Sequence, residues 1–140
     1  MTGRLVLDAS AVAAILLPDE DSDKIANSMV EFQKENPSSL FMVPSLWWSE
    51  ITNILLVSFR RGRIKEDEFQ TCLFLISRLP IETDFAKGVG YQNVLIGIGK
   101  KEGLSAYDSA YIELAERKKA GLLTIDKNLD KVRKKRKIPR

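Results

Sequence analysis

Histidine is missing from this chain and cysteine occurs once, at Cys72. Without an imidazole, Ser-His-Asp triads and histidine-based ribonuclease chemistry are excluded. One cysteine closes no internal disulfide, and with no histidine beside it the usual structural zinc sites are excluded too. Long apolar runs are also missing: no stretch of about 18 apolar residues could cross a bilayer. The opening residues, Met1 to Asp8, are interrupted by a charge where a signal peptide needs its apolar core. The expected location is therefore cytoplasmic, with no membrane partner. Any catalysis is left to carboxylates, Lys, Tyr, Ser or a hard metal ion.

What remains is a chain of 140 residues, 44% hydrophobic and 29% charged, enough for one packed domain and with little room for a second. Its net charge of +3 is unevenly spread. Residues 131–140 hold seven of the 22 basic residues, leaving 15 bases against 19 acids in the rest. The expected organisation is a single domain over residues 1–130 and a basic C-terminal tail over 131–140. Such a tail suits nucleic acid phosphates.

Short apolar runs alternate with amphipathic stretches. Leu5–Leu7, Leu40–Val43, Leu79–Thr83 and Leu122–Ile125 read as strands. Val132–Ile138 is a candidate fifth, edge strand. Helices are expected over 9–17 up to Pro18, from an acidic entry at Asp19–Asp23 through Phe32, from Ser45 to Arg61, over Glu66–Arg78 with Phe69, Leu73 and Ile76 inward, over 86–101, and over Ser105–Lys119. No Asn-Gly or Asp-Gly hairpin turn separates the strands. Alternation of this kind predicts an α/β fold, with a mainly parallel sheet between two helical layers.

In a parallel sheet every strand-to-helix junction lies on one edge, where such folds bind ligands. Asp8 ends the first strand and Asp126 the last. Asp108 lies in the first turn of the Ser105 helix, and Glu50 in the second turn of the helix after Leu40–Val43. Each has a plainer explanation. Asp8 and Asp126 suit helix N-caps, Ser105-Ala106-Tyr107-Asp108 fits a capping box, and Glu50 suits a solvated helix face. Four acids at one edge are harder to dismiss together. Gathered carboxylates repel one another unless a cation sits among them, and an all-oxygen site suits Mg²⁺ or Mn²⁺. Ions held in this way activate water and stabilise charge on a scissile phosphate.

The residues carrying this pattern are Leu5-Val6-Leu7-Asp8-Ala9-Ser10-Ala11, Val43-Pro44-Ser45-Leu46-Trp47-Trp48-Ser49-Glu50, Gly103-Leu104-Ser105-Ala106-Tyr107-Asp108-Ser109-Ala110-Tyr111, and Leu122-Leu123-Thr124-Ile125-Asp126-Lys127-Asn128-Leu129. In this order they resemble the PIN-domain family, and within it the VapC-type toxins of VapBC toxin–antitoxin pairs. The resemblance spans residue 4 to about residue 130. It implies a three-layer α/β/α sandwich and a Mg²⁺- or Mn²⁺-dependent endoribonuclease leaving 3′-hydroxyl and 5′-phosphate ends. Asp8, Glu50, Asp108 and Asp126 would form its acidic quartet, with Ser10 and Thr124 orienting a ligand or water and Asn128 and Asp130 at the rim. An antitoxin and a second copy of the chain would be its protein partners.

Arg60, Arg61, Arg63, Lys134, Lys135 and Arg136 are candidates for steering RNA to the acidic cleft. The apolar faces of residues 11–17 and 25–32, with Trp47 or Trp48, are candidate partner surfaces. The rival reading is a non-catalytic RNA-binding module of the same fold. A receiver or a haloacid-dehalogenase-type phosphatase fits poorly, because Ser10 stands where the phosphatase would need a second Asp.

Overall fold

The computed structural model describes residues 3–17 and 22–140. The expected helix break at Pro18 and the acidic residues Asp19–Asp21 lie outside the described residues. Among those described, the order is β1 (Leu5–Leu7), α1 (Ala9–Leu16), α2 (Ser22–Glu35), β2 (Phe41–Pro44), α3 (Leu46–Arg60), α4 (Glu68–Ser77), β3 (Ile81–Asp84), α5 (Val89–Glu102), α6 (Ala106–Arg117), β4 (Gly121–Leu123) and α7 (Lys127–Lys135).

The four strands form one parallel sheet in the order β3-β2-β1-β4. Every residue of β1, β2 and β4 is buried, as a parallel sheet covered on both faces requires. From β1 the chain moves outward to β2 and then β3, next crossing back past β1 to reach β4. Right-handed crossovers in opposite directions place their helices on opposite faces, giving the expected three-layer architecture. α1 packs on α2 and α3, while α6 packs on α5 and lies across β1, β2 and β4. The largest fully buried side chains, Trp47, Tyr111 and Phe41, fill the space between these layers.

This topology has one switch point. The connections from β1 and to β4 leave in opposite directions, so a crevice opens between the carboxyl ends of these adjacent strands. The ladder reaches its rim: the Asp8 N–H donates to the Leu123 carbonyl at 3.0 Å.

Three expectations need correction. First, Val132–Ile138 is not an edge strand. Leu129 and Val132, three residues apart, lie on the buried face of α7, and helical hydrogen bonding uses the backbone groups a ladder would need. Only at Pro139 does the chain return to the sheet, where its carbonyl accepts the Leu122 N–H at 2.8 Å.

Second, residues 131–136 are not a free basic tail. Arg133 is buried and pairs with Asp130 at 2.7 Å, Lys134 pairs with Asp130 at 3.3 Å, and Lys135 pairs with Glu102 at 2.7 Å. Arg136 bridges Glu102 and Glu116 at 3.1 and 2.9 Å. Third, the inward stripe of α4 is Cys72 and Ile76, with Leu73 48% exposed.

Candidate active site

Asp8, Thr124 and Asp126 lie at the crevice because they follow β1 and β4. Asp8 occupies the N-cap position of α1, yet its side chain makes no capping bond. Instead its Oδ2 accepts the hydroxyls of Ser10 at 2.5 Å and Thr124 at 2.6 Å. Thr124 Oγ1 in turn accepts the Asp126 N–H at 3.0 Å, which commits the Thr124 hydrogen to Asp8. Ser10 and Thr124 thus fix one carboxylate oxygen and leave the other available. Asp8 is nearly buried, and burial pushes its pKa up, opposed by these hydroxyls and assisted by the Asp126 charge.

Asp108 sits three residues past the N-cap of α6. The cap is Ser105, whose Oγ accepts the Asp108 N–H at 3.0 Å. Only the hydroxyl half of the expected capping box forms, because no described residue donates to the Asp108 carboxylate. Partial burial raises its pKa, and Asp126 and Asp8 raise it further.

Glu50 enters from α3. Its Oε1 accepts the phenol of Tyr111 at 2.5 Å, and its pKa is raised by burial and by the charges of Asp8 and Asp108. Asp126 is the N-cap of α7, with Oδ1 accepting the Leu129 N–H at 2.9 Å. Its plainer role is therefore real, but it occupies one oxygen only. The N-termini of α1, α6 and α7 all face this crevice, and their partial positive charge favours anions there.

The four acids thus come from four separate elements to one crevice, near enough that Asp8, Glu50 and Asp108 each feel a neighbouring carboxylate. None of the four forms an ion pair among the described residues. Yet among those residues no three acidic, Cys or His side chains stand close enough to surround one ion together. That donor set fits Mg²⁺ or Mn²⁺ better than Ca²⁺ or zinc. Mg²⁺ keeps several waters and takes one or two carboxylates, whereas Ca²⁺ wants six to eight oxygens. An ion held by Asp8, Asp108 or Asp126, with water completing its shell, suits the chemistry of these side chains.

Tyr111 was not singled out from the sequence. It stands three residues after Asp108 on the same helix face, a usable signal, but its partner Glu50 is 61 positions away. The Tyr111 phenol is fully buried, and burial together with Glu50 holds its pKa far above the ordinary value. Its hydroxyl hydrogen goes to Glu50, and the Ala9 backbone opposes part of the shift. Tyr111→Phe should leave Glu50 unanchored and weaken Mn²⁺ binding or activity about 10- to 100-fold, the usual range for a residue that orients a ligand. Calorimetric Mn²⁺ titration checks this, with circular dichroism confirming an intact fold.

The proposed RNA-steering residues are elsewhere. Arg60 ends α3 ten residues beyond Glu50, about 15 Å along the axis, and Arg61 and Arg63 stay at that end, the Arg63 N–H donating to the Ser58 carbonyl at 2.8 Å. Lys134 and Lys135 lie in the last turn of α7 and Arg136 is its C-cap, all three in the ion pairs described above. Asn128 is exposed in the first turn of α7, beside Asp126. Most of the suggested partner surface is core, namely Ala11, Val12, Ile25, Met29, Phe32 and Trp47, whereas Val30 and Trp48 are exposed. Exposed apolar residues instead cluster on α4, at Leu73, Phe74 and Leu75, and on α5, at Val89, Val94 and Ile96.

Comparison with known proteins gives the family. The PIN domain family profile matches residues 5–135. The chain is a PIN-domain protein. Ribonuclease VapC3 of Pyrobaculum aerophilum is 32% identical over 132 residues, covering 90% of this chain and 92% of that protein. The crystal structure of PAE2754 from Pyrobaculum aerophilum has the same fold, with a TM-score of 0.63 and 20% identity over 90% of this chain and 83% of that one. The PIN-domain match reaches Lys135 and so includes all of α7. No described helix of this PIN domain is long and apolar enough to cross a membrane.

Proposed function

We propose that this PIN-domain protein is a Mg²⁺- or Mn²⁺-dependent endoribonuclease and the toxin of a toxin–antitoxin pair. One observation carries the reading: Asp8, Glu50 and Asp108 meet at the β1/β4 crevice, each with its pKa raised by burial and by a neighbouring acid. Unpaired, partly desolvated carboxylates cost stability, and a fold retains them where they hold a cation or move a proton. The kinship with a ribonuclease of the VapC type supplies the substrate class.

One or two of Asp8, Asp108 and Asp126 would ligate the ion directly, with water completing its shell and linking it to the remaining acids and Glu50. When bound, the ion supplies water activation and neutralises charge on the scissile phosphate. The chain does the rest. Ser10 and Thr124 keep Asp8 turned into the crevice, and Tyr111 does the same for Glu50. Three helix N-termini favour the arriving phosphate. With water as the attacking group, cleavage would leave 3′-hydroxyl and 5′-phosphate ends, as the resemblance to VapC-type toxins implies.

The antitoxin and a second copy of the chain are proposed as partners. The exposed apolar residues of α4 and α5 suit them better than the buried faces of α1 and α2. The test is RNA cleavage in Mg²⁺ with end-mapping. The wild type should give 5′-phosphate ends, and Asp108→Asn none. RNA binding without cleavage by the wild type would favour a non-catalytic binding module instead.

A further inference from the structure

Two chain segments run away from the candidate active site side by side. One is the α5–α6 turn, whose Leu104 leads into Ser105 and Asp108. The other is α7, which begins at Asp126. Between them lies a groove of about 350 Å³, lined by Lys101, Glu102, Gly103, Asn128, Lys131 and Lys135. Both walls therefore lead directly to acids of the crevice.

The groove is basic, and its charges differ in availability. Lys135 and Arg136 both bind Glu102, holding that carboxyl below its ordinary range and cancelling its charge. Lys101 and Lys131 are exposed and form no ion pair among the described residues. Asn128 and Lys131 lie one helical turn apart, so an amide and an ammonium follow each other along one wall. The turn itself offers an open floor, because Gly103 has φ +70° and nothing within 4 Å of where a side chain would begin. This is a narrow path with donors on both sides, free cations and no unpaired acid.

We propose that this groove binds the phosphate backbone of a single RNA strand and feeds it to the crevice, with Lys101 and Lys131 as the principal phosphate contacts. The assignment rests on the ribonuclease reading for its ligand. Two other basic places are weaker. Arg60, Arg61 and Arg63 are remote from the acids. The cavity holding Lys24, Lys127 and Arg140, about 130 Å³, is smaller and includes Asp130.

The experiment measures binding of a short mixed-sequence single-stranded RNA in EDTA, which prevents metal-dependent cleavage, across a salt series. Lys101→Ala/Lys131→Ala removes two phosphate contacts. Its affinity should fall roughly 25-fold at about 0.1 M salt, and the slope of log affinity against log salt should become shallower by about 1.4. Lys34→Ala/Lys65→Ala removes the same charge from exposed positions elsewhere and should change affinity by no more than a few-fold.

Equal losses in both double variants would mean bulk charge alone and overturn the proposal, as would wild-type affinity in Lys101→Ala/Lys131→Ala. Displacement of the RNA by polyglutamate at matched charge would assign the groove to an acidic protein segment instead. The nuclease reading is scored separately. Cleavage surviving in Asp108→Asn would refute it, whereas unchanged binding in Lys101→Ala/Lys131→Ala with cleavage lost in Asp108→Asn would refute the groove alone.

Discussion

Asp108→Asn should raise the melting temperature of the metal-free protein while removing its cleavage activity. The Asp108 carboxylate is half-buried, accepts no hydrogen bond among the described residues and is repelled by Asp126 and Asp8. Its N–H cap to Ser105 is a backbone bond that Asn retains. One effect opposes the gain: a negative charge in the first turn of α6 interacts favourably with the helix dipole, by about 0.3–1 kcal/mol. Burial and two neighbouring carboxylates act against the charge from the other side, and all three raise the Asp108 pKa. Relieving buried repulsion at a functional site typically returns about 1 kcal/mol, or roughly 3 °C for a chain of this size. Losing a carboxylate that holds the ion should cost more than the roughly 100-fold ceiling for an orienting residue. Thermal melts in EDTA and cleavage assays in Mg²⁺ give the two readouts. A lower melting temperature or retained cleavage would contradict the assignment.

Manganese should stabilise the protein strongly at pH 7.5 and much less at pH 5.5. Asp8, Glu50 and Asp108 all have folded-state pKa values raised above their ordinary ones. Groups shifted in this direction contribute stability that is complete below their unfolded pKa and is lost as pH rises through the folded value. The metal-free protein should therefore gain stability on mild acidification, until Asp84 reverses the trend. Arg117 holds the Asp84 carboxyl below its ordinary range, so that contribution is present above the unfolded value and disappears in stronger acid.

A divalent ion needs the same carboxylates ionised, so protons compete with it in mild acid. At 100 times its dissociation constant the ion contributes about 2.7 kcal/mol, a melting shift of roughly 8 °C. That shift should shrink at pH 5.5 for a fixed Mn²⁺ concentration. An equal or larger shift in acid would mean that the ion binds elsewhere.

Much of this was legible in the sequence because the signals were local. Leu5–Leu7 followed by Asp8 is a buried parallel strand ending at the sheet edge. Ser105 before Ala106 and Asp108 marks a helix start, and the same few residues place both acids. What escaped was non-local or depended on helix phase. In α4, Cys72 and Leu73 both fit an apolar stripe through Phe69 and Ile76, and only packing decides that Cys72 turns inward. In α7, Leu129 and Val132 carried a helical period, but the dense Lys/Arg run masked it. Counting those cations also gave no hint that Arg136 is committed to Glu102 and Glu116, which belong to α5 and α6. The Tyr111–Glu50 bond likewise exists only once α3 and α6 are packed together.

The central claim is that carboxylates from separate elements share a divalent cation at the carboxyl ends of β1 and β4. Crystals soaked in Mn²⁺ and measured at the manganese absorption edge test it most directly. The expected result is an anomalous peak in that crevice, about 2.0–2.2 Å from a carboxylate oxygen of Asp8, Asp108 or Asp126. A manganese peak confined to other parts of the surface, or none with the crevice open to solvent, would contradict it.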